Sequence, residues 1–216
     1  MSEIKKIGFD LLALSEAFDI QKQKKCADLD NWLDAKFELT DSEKHIVEEL
    51  YLDISENIEA MNEDEIKARV VGLLFYAARI DMPDKIRVFY ERPLSAKINE
   101  YSMNVVCDCL VATPKFNVPT KSYFFLQEFK KAKGEKKDRA ANRPEAQMLT
   151  AMIIAQHLNN DQKPIYGSYL IGSSWRFSTL IGNDYCVSRK FNAENKQDLN
   201  QIVFVLRKLK DIILSR

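Results

Sequence analysis

Between Val105 and Val111 the chain is apolar except at one position, Asp108. A carboxylate inside a strand-like apolar run is costly to bury unless it is paired or bound. This stretch therefore constrains fold and chemistry together. It follows a change of hydrophobic period. Before Met82-Pro83 apolar residues recur at helical spacing; after it they come in short strand-like runs. Lys85–Glu91, Asn104–Ala112 and Ser122–Lys130 read as three strands, with Pro114–Thr120 as the turn before the last.

The first 60 residues read as helical, with apolar positions at Ile7, Leu11, Leu14 and Phe18. Thr40 with Glu43 has capping-box spacing, and Ile46, Val47, Leu50, Ile54 and Ile58 continue a helical stripe. Asn62 with Glu65 starts the next helix, predicted from Glu63 to about Ile80 with Ile66, Val70, Leu73, Leu74 and Ala77 buried. Beyond a polar, basic stretch, Lys131 to Arg143, Pro144 opens a helix to about Leu158. Strands follow at Ile165–Ile171, Trp175–Ile181 and Tyr185–Ser188, then a C-terminal helix from Ala193 to Leu214. This order predicts an α/β (α+β) chain: a mixed sheet flanked by helices, divided into a helical extension over 1–60 and a core with its C-terminal helix over 61–216.

Composition narrows the function classes. Lys+Arg and Asp+Glu both number 32, so the formal net charge is zero. That argues against a histone-like coat for nucleic acid, because non-specific phosphate binding grows with the number of cationic contacts. Six Gly and six Pro are too few for a linker or a disordered chain. A chain of 216 residues buries roughly 70% of its unfolded surface and needs no disulfide or metal to fold. Cys26, Cys107, Cys109 and Cys186 lack zinc-site spacing. They are expected as buried, reduced thiols, with Cys107 and Cys109 on one face of their strand. The N-terminus has no signal-peptide core. The longest apolar stretch, Val70 to Ala78, falls far short of the roughly 20 residues that span a bilayer. A cytoplasmic protein without a membrane partner is expected. His45 and His157 read as surface or helix-end residues, and Trp175 and Phe177 as core.

The chemistry converges on Glu128-Phe129-Lys130 at the end of the third strand. Alternation along a strand puts Glu128 and Lys130 on one face. If the second and third strands form a hairpin, Asp108 and Glu128 converge. Two close carboxylates repel unless a cation joins them, and oxygen ligands suit Mg²⁺. A lysine beside such an ion can orient or deprotonate a water, as metal-assisted phosphodiester hydrolysis requires. The bare Asp/Glu-x-Lys pattern occurs seven times, at Glu3, Asp34, Glu65, Glu128, Glu135, Asp161 and Glu194. Only the copy at Glu128 closes an apolar strand with an embedded aspartate before it. The competing reading puts Asp108 on a solvated face and pairs Glu128 with Lys130 or a neighbour. On the helix beginning at Glu63, Glu63 falls toward the buried stripe and Glu65 away from it. Glu63 is thus expected to look into the fold and Glu65 to cap.

In this order the residues resemble the PD-(D/E)xK nuclease superfamily, the restriction-endonuclease-like fold with an α-β-β-β-α-β core. The nearer likeness is to the nuclease domain of type I restriction motor subunits. Asn62-Glu63-Asp64-Glu65 looks like that group's helix start, Asp108 like its strand aspartate, and Glu128 with Lys130 like its strand end. Gln147 matches its helix glutamine, and Gly172-Ser173-Ser174-Trp175-Arg176-Phe177 its Gly-x-x-Trp-x-Phe strand. The chain departs from the pattern in having no proline before Asp108 and no tyrosine after Gln147. The resemblance implies that Asp108, Glu128 and the main-chain carbonyl of Phe129 hold Mg²⁺ (Mn²⁺ in its place). Lys130 would position or activate the attacking water, Glu63 would complete the shell through a water or a second ion, and Gln147 would orient a water or phosphate. Lys131, Lys133, Lys136, Lys137, Arg139 and Arg143 follow at once, where a DNA backbone would pass.

The expected function is a metal-dependent nuclease acting on DNA, alone, as a homodimer or with a partner protein. The alternative is an inactive nucleic-acid-binding or protein-interaction module on the same fold. A small-molecule enzyme is disfavoured, since no Gly-rich phosphate loop or cofactor fingerprint is present.

Overall fold

The structure is a computed structural model that describes residues 4–130 and 144–216. It is a mixed α/β fold. The elements are β1 (Lys5–Lys6), α1 (Leu11–Phe18), β2 (Gln21–Gln23), α2 (Ala27–Leu33), α3 (Asp41–Asn57), α4 (Glu63–Glu65), a π-helical segment (Ile66–Val71), α5 (Gly72–Ala78), β3 (Arg87–Ile98), β4 (Tyr101–Lys115), β5 (Val118–Lys130), α6 (Pro144–Asn159), β6 (Ile165–Ile171), β7 (Ser174–Ile181), β8 (Asp184–Val187), β9 (Phe191–Asn192) and α7 (Lys196–Leu214). The strands form one sheet in the order β1-β4-β5-β6-β7-β8-β2, with β3 on β4 and β9 on β7. Strands β3, β4 and β5 run antiparallel, β5 and β6 run parallel, and β6, β7 and β8 return antiparallel. Among the described residues no helix is long and apolar enough to cross a membrane.

Alternation along β5 sends Phe125 and Phe129 into one core and Leu126 into another. The first core lies under α2, α3, α5 and α7; the second lies under α1 and α6. The stripe of α7, Leu199, Ile202, Val203, Leu206, Leu209 and Ile213, is buried as its period predicts. The first 60 residues supply short strands as well as helices, and both strands join the sheet: β1 beside β4 and β2 beside β8. Their single tryptophan, Trp32, is fully buried against Phe125, Tyr166 and Phe177 and donates its Nε1–H to the Val205 carbonyl at 2.8 Å.

Local signals are obeyed at helix starts. Both capping boxes, Thr40 with Glu43 and Asn62 with Glu65, are formed. Elsewhere four expectations need correction. The helix after Asn62 is continuous, but Ile66–Val71 is π-helical. That wider turn rotates the helix that follows, so Leu73 is 42% exposed while Val71, Phe75 and Ala78 take core positions. The stretch 114–120 is not one turn. Strands β4 and β5 extend to Lys115 and Val118 around Phe116 and Asn117, both left-handed, and Pro114 faces Pro119 across the hairpin.

The cysteines depart twice. Cys107 belongs to the second core and Cys109 to the first, on opposite faces of the sheet. The reason is a slip of phase at Asp108. Opposite it, between the pairs Tyr90↔Cys109 and Arg92↔Cys107, stands Glu91 with a left-handed φ of 51°. Nor are all four thiols reduced. Pairing of β2 with β8 sets Gln23 opposite Cys186, and Cys26, three residues on, forms a disulfide with Cys186 (Cα–Cα 6.2 Å). Cys107 and Cys109 are free and buried.

Candidate active site

The β4–β5 ladder runs from Lys115↔Val118 to Cys109↔Gln127. One residue further on, a side chain takes over. The Phe129 main-chain N–H donates to Asp108 Oδ2 at 2.9 Å. The aspartate in the apolar run is therefore neither solvated nor buried unpaired. It is anchored on the backbone between Glu128 and Lys130.

Glu128 is 1% exposed, and neither of its carboxylate oxygens has a hydrogen-bond partner among the described residues. Burial, and then the neighbouring Asp108 carboxylate, push its pKa up to about 10. The Lys130 ammonium opposes this without overcoming it. Asp108 is raised as well, chiefly by burial, against the lowering effects of the Phe129 N–H and Lys130. Such a pair holds a proton at neutral pH unless another cation replaces it. A buried carboxylate without a donor beside a second carboxylate is an oxygen-rich seat for a hard divalent ion.

Glu63 opens α4 and is exposed, not turned into the core. Its Oε2 lies 3.3 Å from Lys130 Nζ. Glu65 is spent on capping, its carboxylate accepting the Asn62 N–H at 2.8 Å. Gln147 lies on α6, over the sheet face toward which Leu126 and Glu128 point, and its Oε1 is buried without a partner among the described residues. No hydrogen bond links it to Asp108, Glu128 or Lys130 among the described residues. Phe129, whose main-chain carbonyl was expected as a ligand, buries its ring in the first core. As the side chains stand, no three His, Cys, Asp or Glu residues among those described are gathered for one ion. The donor set is two carboxylates, with Glu63 drawn aside by Lys130. The basic residues Lys131, Lys133, Lys136, Lys137, Arg139 and Arg143 lie outside the described residues.

Two further residues belong to this cluster. Lys67, one helical turn after Glu63, bonds Glu91 at 2.5 Å and Asp64 at 3.4 Å and sits 6.0 Å above the Phe129 ring. Glu91 faces Asp108 across β3 and β4, and its charge raises both Asp108 and Glu128. The signal for Lys67 was its spacing of four from Glu63. Glu91 offered only its place at the end of a strand-like run. Beside Glu128, Tyr169 is its partner in β6 and donates its hydroxyl to Glu145 at 3.0 Å. Glu145 also meets Lys22 at 3.0 Å, which ties β2 to the start of α6. His45 and His157 are exposed, and Trp175 and Phe177 are core.

The chain matches no protein-family model and no characterised protein at a significant level.

Proposed function

We propose that this chain is a metal-dependent nuclease that hydrolyses phosphodiester bonds in DNA, on a restriction-endonuclease-like core. One observation carries the reading: the buried, unpartnered Glu128 carboxylate beside an Asp108 fixed on the Phe129 N–H, with Lys130 at the strand end. The order α5-β3-β4-β5-α6-β6 supports the core assignment. Asp108 and Glu128 are the residues that would hold Mg²⁺ or Mn²⁺. Such an ion polarises a phosphoryl oxygen and lowers the pKa of a bound water.

The chain's own groups do the rest. Asp108 and Glu128 would supply the negative charge that seats the cation, and the proton held on Glu128 would leave on binding. Lys130, an ammonium, would move between Glu63 and an attacking water, which it orients by donating a hydrogen bond while the water's proton passes to solvent. Glu63 steers the Lys130 ammonium through their ion pair. Gln147, whose Oε1 has no partner among the described residues, would orient a water or a substrate phosphate.

Supercoiled plasmid tests this. Nicking should require Mg²⁺ or Mn²⁺, stop with chelator, and be lost in Glu128→Ala and Lys130→Ala. Equal nicking by these variants would sink the proposal. DNA binding that survives chelation, with no cleavage under any metal, would establish the inactive binding module instead.

A further inference from the structure

Glu91 and Lys67 lie beside the carboxylate pair, Lys67 one helical turn after the Glu63 that holds Lys130. Glu91 and Asp108 are the two residues left between the registered pairs Tyr90↔Cys109 and Arg92↔Cys107. Its only hydrogen-bonded partner among the described residues is the Lys67 ammonium. Lys67 has two other anchors, Asp64 at 3.4 Å and the face of the Phe129 ring at 6.0 Å. The Glu128 carboxylate, 1% exposed, has no donor at all among the described residues.

We infer that Glu91 is a further oxygen ligand, through a water, for the divalent cation held by Asp108 and Glu128, and that Lys67 is the counter-ion this cation displaces. The inference rests on the metal-dependent reading of the site. Hard cations such as Mg²⁺ and Mn²⁺ take carboxylate and water oxygens and usually keep several waters. An outer carboxylate within reach of those waters therefore adds affinity without moving the backbone. Glu91 is half exposed in its side chain, so solvent screens its pair with Lys67. Exchanging the ammonium for a doubly charged ion is thus easily offset. Lys67 stays compensated when released, because Asp64 and the Phe129 ring still hold it. The exchange also removes the repulsion that Glu91 exerts on Asp108 and Glu128.

Titration of the full chain with Mn²⁺ alone, by isothermal calorimetry at neutral pH without nucleic acid, decides the matter. Glu91→Gln should weaken Mn²⁺ binding by about 10- to 100-fold, the usual loss for an outer-shell partner. Lys67→Met should tighten binding several-fold, a gain that general destabilisation cannot produce. If wild type binds Mn²⁺ and Glu91→Gln binds it equally well, the role of Glu91 is overturned while the metal-dependent reading stands. If wild type binds no Mn²⁺, both fall.

Discussion

The Asp108 carboxylate holds the Phe129 main-chain N–H at 2.9 Å, in place of the next ladder bond between β4 and β5. This single contact ends the β4–β5 pairing and ties Asp108 to the backbone between Glu128 and Lys130. It also resolves the cost of an acid inside an apolar run. The backbone satisfies Asp108, and the uncompensated burden falls on Glu128.

That burden makes stability depend on pH. An ordinary glutamate ionises near 4.5, whereas in the folded chain Glu128 is pushed up to about 10 by burial and by Asp108. Between these values the folded state holds a proton that the unfolded chain has lost. Stability from this group is therefore full below the ordinary value and falls as pH rises toward the folded one. Glu128→Gln, a neutral isostere, escapes the loss. In chelator it should be more stable than wild type, by a margin that grows from acidic to mildly alkaline pH in chemical denaturation. A margin that does not change with pH would contradict the account.

Lys130 and Glu63 should separate stability from activity. Their pair is part-exposed, 30% and 46% in the side chains, so Lys130→Ala should shift stability by less than about 1 kcal/mol. Nicking should nevertheless fall by about 100-fold or more, because the attacking water loses the ammonium that positions it. Matched thermal melts and cleavage rates check both halves.

Glu43 behaves in the opposite sense to Glu128. Burial pushes it up, but the Thr40 backbone and hydroxyl and the Arg207 guanidinium outweigh that and hold it below the usual carboxylate range. It joins α3 to Arg79 at 2.6 Å and to Arg207 of α7 at 2.8 Å. Its contribution is present above the ordinary carboxyl pKa and is lost as pH falls through the folded value. Glu43→Gln should cost about 1–3 kcal/mol at neutral pH. Urea titrations should show the gap to wild type closing in acid.

Reduction should loosen the N-terminal segment. The Cys26–Cys186 bond closes a separation of 160 residues and sits where the short strand β2 meets β8. Loss of a native disulfide typically costs about 2–5 kcal/mol. Reductant should lower the melting temperature of wild type and leave Cys186→Ser unchanged. Equal melting of wild type with and without reductant would refute this.

What the sequence made legible was local. Thr40 with Glu43 and Asn62 with Glu65 are capping signals complete within four residues, and both form. The α7 stripe and the bounds of β6 follow from period alone. Asp108 and Glu128 could be matched because their strands are neighbours in sequence and pair directly. Properties set by tertiary context were hidden. The π-helical segment that exposes Leu73 leaves no mark in composition, and the slip at Asp108 depends on a left-handed Glu91 across the ladder. Residue spacing could not reveal a disulfide between β2's neighbour and β8. Nor could it place Lys67 against Glu91, since that contact needs the helix and β3 in register.

The central claim is that Asp108, Glu128 and Lys130 hydrolyse phosphodiester bonds with a divalent cation. The most direct test is the nicking rate of supercoiled DNA in Mg²⁺ for matched preparations of wild type and Glu128→Gln. The variant is expected to be the more stable of the two in chelator, so lost activity could not be laid to misfolding. The account predicts metal-dependent nicking by wild type and none by Glu128→Gln. Equal rates, or no nicking by either protein, would contradict it.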